Sequence, residues 1–404
     1  MVAQFVQKLK IKEDRENIVK MINSFLLFVF LFNAIFFPAD PFELKILSFG
    51  LLLLFNLKTI FTIKNRFDAI IIFIGFVVPS VAIFMSIVQT GEVIANIRQG
   101  YVGYLLLLLP LIRNYNFDYK KAFMYIMLGL AAVTIYMGIM HVFSIIDIYN
   151  NPLYALFTET DCAMIGVGPA LLNIVVFMKA SPIFVVCVAY SLYQRKFGQT
   201  IIYLVALIFS GTRANLLVGF AVFIIGMILM QNKQNLKRIM FAFLAILIIL
   251  IIDGRIVNEI TSLFSEKASG DDVRNGTLSS ILTGWAYNPL SIICGTGFSS
   301  QFFNQGIGEN SIIVELSYWN LLRQVGIINF IFIVSSFLYP AVKLLDSGIK
   351  ERNIFKKLIL VIGLLGYMII AYTNPLLYST TGYVVLLFMY LVIDEEMLKN
   401  EKRL

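Results

Sequence analysis

The residues of this sequence best suited to chemistry are five arginines and one glutamate at the borders of apolar stretches. They are Arg98, Arg213, Arg255, Arg274, Arg323 and Glu315. The planar guanidinium of arginine binds phosphate or carboxylate groups through two parallel hydrogen bonds. A carboxylate in a partly desolvated site near lipid is suited to general-base work. These residue types therefore favour a site that binds an anionic group and removes a proton.

The elements that carry these residues are apolar to an extent that excludes a soluble fold. The chain has 404 residues, 59% of them hydrophobic and 14% charged. Apolar runs of spanning length recur from Met21 to Ile393, too many to bury in one soluble core. The runs are continuous and not alternating, so we expect helices. We predict an all-α polytopic membrane protein with a single membrane-embedded domain over residues 1–404.

Polar breaks divide the chain into about twelve predicted transmembrane helices. They lie near residues 21–37, 43–57, 67–89, 99–112, 122–145, 164–193, 198–210, 213–231, 238–253, 316–342, 356–372 and 378–394. With both termini in the cytoplasm, every inner loop carries lysine or arginine, as the positive-inside rule requires. The sixth segment contains Lys179, Ser181 and Pro182 and is predicted to be a bent helix.

The basic residues outside these inner segments have a different composition. Eight of the 32 lysines and arginines remain, namely Lys45, Arg98, Lys179, Arg213, Arg255, Lys267, Arg274 and Arg323. Arginine is in the majority there, whereas lysine dominates the inner loops. Any single one could extend to a lipid headgroup. As a group, they indicate an anion site on the outer face.

The stretch SGTRAN, residues 210–215, lies between two predicted helices at that face. A helix that begins at Arg213 presents free N–H groups and the positive end of its dipole, to which the side chain adds a guanidinium. The turn is therefore predicted to be an outward-facing cradle for an anion.

A long outer loop subdomain, residues 254–314, follows the ninth predicted helix. It contains Arg255, Arg274 and Trp285, and a Gly-Thr-Gly turn at 295–297 that is weak evidence for a phosphate loop. Asp271 and Asp272 could hold a hard cation. Arginines can neutralise a phosphate by themselves, so we expect neither a metal nor another cofactor.

The helix after this loop begins with ELSYWNLLRQVGIINF, residues 315–330. Helical spacing predicts that Glu315 and Arg323 share one face of it. Glu315 is then either a general base or the partner of an arginine in a structural ion pair. Trp285, Tyr318 and Trp319 either stack on sugar rings or belong to an interfacial aromatic belt.

Three stretches together resemble the O-antigen polymerase and ligase superfamily, membrane glycosyltransferases of the GT-C type. They are SGTRAN at 210–215, VRNGTLSSILTGWAYNPLSIICGTGF at 273–298, and ELSYWNLLRQVGIINF at 315–330. The resemblance spans residues 200–335. It implies a GT-C-like fold with a periplasmic loop subdomain in the cytoplasmic (inner) membrane.

The resemblance also implies a reaction, in which oligosaccharide units on undecaprenyl pyrophosphate act as donor and acceptor. Arg213 and Arg274 would bind the pyrophosphate, and Glu315 would deprotonate the acceptor hydroxyl. Arg98 and Arg323 would complete the site, with Arg255 as a further substrate contact. The implied partners are the lipid-linked substrates, the bilayer and a chain-length regulator protein, with no nucleic acid.

Two other functions stay open, a ligase of the same fold and a flippase or transporter of lipid-linked glycans. Ligases of this superfamily tend to carry histidine where Glu315 stands, which favours a polymerase. The paired Arg-x10-Gly loops of some polymerases are absent, because Ile224 and Trp285 occupy the glycine positions. Asn329 replaces a glycine that is usual in the helix motif. A transporter would need charges along its cavity to both faces, whereas here they collect at one.

Overall fold

The structure is a computed structural model that describes residues 2–115, 117–167, 174–230 and 267–401, and these residues are mostly helical. Six of the described helices are long and apolar enough to cross a membrane. They are Asn17–Phe36, Arg66–Thr90, Val93–Asn114, Tyr119–Val142, Ser317–Lys350 and Ile354–Ala371. This agrees with an all-α membrane protein of several spans. The predicted helix 238–253 and Arg255 lie outside the described residues, and twelve spans stay a prediction.

We number the described elements in chain order. The helices are α1 (Val2–Phe36), α2 (Leu44–Ile60), α3 (Arg66–Thr90), α4 (Val93–Asn114), α5 (Tyr119–Val142), α6 (Pro152–Glu159), α7 (Phe184–Tyr193), α8 (Phe197–Ser210), α9 (Arg213–Leu229), α10 (Lys267–Tyr287), α11 (Leu290–Cys294), α12 (Ser317–Lys350), α13 (Ile354–Ala371) and α14 (Thr380–Glu401). The strands are β1 (Ala163–Val167), β2 (Ile174–Met178), β3 (Phe302–Asn304) and β4 (Glu309–Ser311).

The predicted helix over 164–193 is wrong in its first half. Strand β1 pairs antiparallel with β2, with Ala163 opposite Met178, and α7 begins only after Pro182. The sequence of β2 is Ile-Val-Val-Phe-Met, and β-branched side chains suit a strand as well as a helix. An apolar run of this length does not distinguish the two by hydrophobicity alone.

The turn within SGTRAN forms as predicted. Helix α8 ends at Ser210, Gly211 adopts the left-handed conformation with φ of 69°, and α9 begins at Arg213. A Cβ added to Gly211 would lie 3.0 Å from the carbonyl oxygen of Ile174 in β2. Glycine is therefore required both by the backbone angle and by the close approach of the strand.

The ends of the helices form two groups, which we call the basic end and the far end. The basic end carries residues 61–65, 117–118 and 194–196, and the far end carries loops 38–43, 91–92 and 372–379. At the basic end, Arg113 of α4 pairs with Asp68 of α3 and Asp394 of α14. Loops that the sequence predicts to lie on one side of the membrane thus lie together at one end of the molecule.

The outer loop subdomain has regular structure of its own, made of α10, α11 and the β3–β4 hairpin. It packs on α12 where that helix is interrupted by Gly326, whose φ of 73° and ψ of 167° are not helical. The interruption frees two carbonyl groups. The Arg323 oxygen accepts from Thr296 N at 2.8 Å, and the Gln324 oxygen accepts from Gly297 N at 2.9 Å.

Candidate functional site

A cavity of about 550 Å³ opens at the far end between α2, α4, α12 and the start of α14. Its wall has cations on one side, from Lys45 and Arg98, and amide groups on another, from Asn320 and Gln324. Tyr378 adds a hydroxyl, which donates to the Gly100 oxygen at 2.9 Å. Burial raises the pKa of Tyr378 well above its ordinary value, so this phenol is neutral at pH 7.

Lys45 lies in the first turn of α2 and is 3% exposed. Its Nζ donates to the Pro38 carbonyl oxygen at 2.6 Å. Asp40 does not pair with this ammonium, since its carboxylate oxygens accept from the backbone N–H groups of Lys45 and Ile46 at 2.9 and 3.0 Å. Within the described part of the chain Lys45 therefore has no ion pair, and its charge remains available to a ligand.

Arg98 is the second cation of the wall and lies in the second turn of α4. It is exposed, and it forms no ion pair with any residue that the structure describes. The wall also contains the carboxylates of Asp40 and Glu43, of which Asp40 is occupied by two backbone N–H groups, so the exposed guanidinium is the group of the wall best placed to meet an anion. The structure thus puts Arg98, a predicted site residue, in a cavity.

Arg323 has a different setting from the one predicted. It is 4% exposed, and its guanidinium donates to the Asn320 side chain at 2.9 Å, Ser300 Oγ at 2.7 Å, Thr296 Oγ1 at 3.2 Å and the Ile312 oxygen at 3.0 Å. The Phe302 ring lies 4.4 Å from the guanidinium carbon. These contacts use the donors of Arg323 inside the protein and fix the outer loop on α12.

Glu315 does not share a helical face with Arg323, because α12 begins at Ser317 and Glu315 lies before it. Its carboxylate instead lies 3.3 Å from the Arg274 guanidinium of α10, with side-chain exposures of 63% and 36%. Ile313 and Ser317 both line the cavity, so Glu315, two residues from each, lies near its rim. The structure therefore brings Glu315 and Arg274 together, as an exposed pair and not as a desolvated one.

The predicted aromatic residues divide into two groups. Trp285 and Trp319 pack together with ring centroids 5.9 Å apart, at the contact of α10 with α12. Trp285 is 9% exposed, and its Nε1 has no partner among the described residues. Tyr318 is held away from them, since its hydroxyl donates to the Met368 oxygen of α13 at 2.9 Å.

Arg213 is not part of the cavity wall as far as the described residues go. It is half-buried at the start of α9, a helix that packs on α7 and α13. The two places are connected through neighbouring elements. Phe157 of α6 packs on Phe37, next to Pro38 of the wall, with ring centroids 5.8 Å apart, and α6 contacts β1. Strand β1 pairs with β2, which contacts Gly211. The SGTRAN turn and the cavity thus belong to the same end but to different parts of it.

Asn320 and Gln324 were not predicted as members of the wall, and Lys45 was predicted only as one of eight cations that together indicate an anion site. Lys45 was visible as a lysine outside the inner loops, and its position at the start of a predicted helix was the available signal. The two amides follow α12 at a four-residue spacing, which puts them on one face. No protein-family model matches the chain, and no curated protein is significantly similar to it.

Proposed function

We propose that this protein is a glycosyltransferase of the cytoplasmic membrane that polymerises oligosaccharide repeat units carried on undecaprenyl pyrophosphate. The observation that supports this most is the far-end cavity, whose two cations lack carboxylate partners within the described part of the chain. A volume of about 550 Å³ falls in the usual range for small-molecule sites. It suits a pyrophosphate with one or two sugar rings.

Arg98 and Lys45 bind the donor pyrophosphate in this proposal. Charge develops on the leaving phosphate as the glycosidic carbon–oxygen bond breaks, and fixed cations in a partly enclosed site stabilise that charge. Asn320 Oδ1 accepts from Arg323 and Gln324 Nε2 donates to backbone oxygens, which leaves Asn320 Nδ2 as a donor and Gln324 Oε1 as an acceptor for sugar hydroxyls. The cavity then orients the donor with its phosphates toward α2 and α4 and its sugar toward α12.

Glu315 acts as the general base for the acceptor hydroxyl. The hydroxyl oxygen bonds to the anomeric carbon of the donor, its proton passes to the Glu315 carboxylate, and the lipid pyrophosphate leaves. Arg274, 3.3 Å from Glu315, orients the carboxylate before the acceptor arrives. The exposure of the pair supports this role, since an acceptor can reach it from outside.

Arg213 supplies a second anion contact, separate from the cavity. A polymerase needs two such places, because both of its substrates carry a pyrophosphate, whereas one lipid-linked substrate suffices for a ligase whose acceptor lacks that group. Helix α9 begins at Arg213, so the positive end of the helix dipole adds to the charge of the guanidinium. Arg323 does not touch substrate in this scheme and is a positioning residue for the loop that carries Thr296 and Ser300.

The test uses purified protein in detergent with synthetic undecaprenyl-pyrophosphate repeat unit and EDTA, and the products are separated on a gel. We expect a ladder from the wild type, none from Arg98→Ala or Glu315→Gln, and an unchanged ladder from Lys64→Ala, a lysine of the basic end. Absence of a ladder from wild type, together with movement of the lipid across liposomes, would replace the polymerase with a transporter.

A further inference from the structure

The segment from the last residue of α10 through α11 carries large apolar side chains on its surface although it lies outside the predicted spans. Tyr287 is 88% exposed, Leu290 70% and Ile293 50%, whereas Ser291 between them is 4% exposed. The polar residue therefore faces the protein and the apolar ones face outward, the reverse of the pattern for a surface in water.

The depth of this segment follows from its contact with α12. A Cβ added to Gly326 would lie 2.1 Å from the carbonyl oxygen of Ile293, so the two backbones touch. Lys343, the first cation of α12 toward the basic end, follows Gly326 by 17 residues. At ~1.5 Å per residue this is about 25 Å along the helix, less than the ~30 Å of a hydrocarbon core. With Lys343 at the basic-end edge of the hydrocarbon core, Ile293 lies close to the far-end edge.

The backbone that follows is satisfied without water, as membrane depth requires. The N–H groups of Gly295, Thr296 and Gly297 donate to the oxygens of Ser291, Arg323 and Gln324 at 2.9, 2.8 and 2.9 Å. The next two donate to side chains, Phe298 N to Ser86 Oγ at 3.2 Å and Ser299 N to Asn96 Oδ1 at 3.0 Å. Irregular backbone at this depth is stable only when protein atoms provide such partners.

We propose that Tyr287, Leu290 and Ile293 form a lipid-contact edge that rests at the boundary between headgroups and hydrocarbon at the far end. The edge continues along the outward face of α12. Ile328 and Ile331, which follow Gly326 toward the basic end, are 55% and 54% exposed there. A bilayer is the occupant that fits, because the distance from Lys343 places the edge at the hydrocarbon boundary and the bonded backbone meets the requirement of that depth. This inference does not depend on the transferase chemistry.

The test is nitroxide accessibility of the full chain in phosphatidylcholine–phosphatidylglycerol nanodiscs. A spin label is attached at Leu290→Cys in a Cys294→Ser background, with Ile293→Cys as a second position. Asn275→Cys is the control, an exposed polar position of α10 in the same subdomain. Gel filtration selects folded variants. We expect Leu290 to collide with oxygen more often than Asn275 does, and several-fold less often with a water-soluble nickel chelate.

Two results would overturn the lipid-contact edge. Equal nickel accessibility at Leu290 and Asn275 would place the segment in water. Low accessibility of Leu290 to both oxygen and nickel would show that the edge is covered by protein, either another part of this chain or a second copy. Ile293 is expected to behave as Leu290 does.

Discussion

The two ends of the molecule differ in the groups that contact their buried cations. At the basic end, Lys357 is 1% exposed and lies between the carboxylates of Glu351 and Glu396, at 2.9 and 2.8 Å. At the far end, Lys45 and Arg323 are 3% and 4% exposed, and their described partners are neutral carbonyl, hydroxyl and amide oxygens. The same kind of charge is paired with carboxylates at one end and only solvated by dipoles at the other.

This difference separates two uses of basic residues in one chain. Cations paired with carboxylates stabilise the contact of helices and contribute little field to the surroundings. Cations held by neutral groups keep their field, which attracts anions into a low-dielectric cavity. The positive-inside rule accounts for the number of cations at the basic end, and the pairing of its buried Lys357 with two carboxylates, unlike Lys45, is why we place the anionic substrate at the opposite end.

The largest expected effect on stability is that of Lys357→Met. Removal of the ammonium leaves the buried Glu396 and the half-buried Glu351 without this cation, and breaking a buried pair typically costs about 3–5 kcal/mol. Thermal unfolding in detergent, followed by tryptophan fluorescence, should show a large fall of the midpoint. Adding Glu396→Gln to Lys357→Met should recover part of the loss. No recovery would mean that packing, and not charge, dominates at this position.

Arg98→Ala should affect activity and not folding. One electrostatic contact to a developing charge is typically worth about 10²–10³ in rate. We expect a loss of this size in the initial rate of ladder formation, with an unchanged unfolding midpoint because Arg98 is exposed. Lys64→Ala is the matched control. Equal losses in the two variants would remove the distinction between the ends.

Arg323→Met should cost less stability than Lys357→Met, roughly 1–3 kcal/mol, the cost of leaving buried neutral acceptors without a donor. Some acceptors keep a partner, because Thr296 Oγ1 and Ser300 Oγ bond each other at 2.7 Å and Gln324 Nε2 reaches the Ile312 oxygen at 3.3 Å. The same unfolding assay ranks the variants. A larger loss than for Lys357→Met would contradict the ranking of charged over neutral partners.

Lys120→Ala is expected to have the smallest effect. Its ion pair with Glu395 is partly open to solvent, with side-chain exposures of 21% and 50%. Pairs of this kind contribute less than about 1 kcal/mol and weaken in salt. The unfolding midpoint should fall slightly at low ionic strength and match the wild type at high ionic strength. A loss that persists in salt would show that the lysine acts through packing.

The sequence predicts the helices that have clear start and stop residues. Predicted bounds of 198–210 and 213–231 agree closely with Phe197–Ser210 and Arg213–Leu229, because glycine and a polar turn separate two uniformly apolar runs. The same apolarity hides the β1–β2 hairpin, since Val175 and Val176 suit a strand and a buried helix equally.

Contacts between segments that are far apart along the chain could not be predicted from the sequence. Helical spacing places Glu315 beside Arg323 only if the helix already includes Glu315, and the chain turns at Leu316 before the helix begins. Apart from Asn320 on the same helix, the hydrogen-bond partners of Arg323 come from the outer loop at Thr296, Ser300 and Ile312. The Gly-Thr-Gly turn has an equally remote partner, because Gly295 crosses α12 at Gly326 and a Cβ on Gly295 would lie 2.3 Å from the Gln324 oxygen.

The central claim, that the far end binds the anion, is tested most directly by pyrophosphate binding. Isothermal titration of purified protein with farnesyl pyrophosphate, a short lipid pyrophosphate, compares wild type, Arg98→Ala and Lys64→Ala at one ionic strength. We expect Arg98→Ala to weaken binding by about tenfold or more, equivalent to at least ~1.4 kcal/mol, and Lys64→Ala to leave it unchanged. Weakening by Lys64→Ala with no change in Arg98→Ala would place the anion site at the basic end and contradict the account.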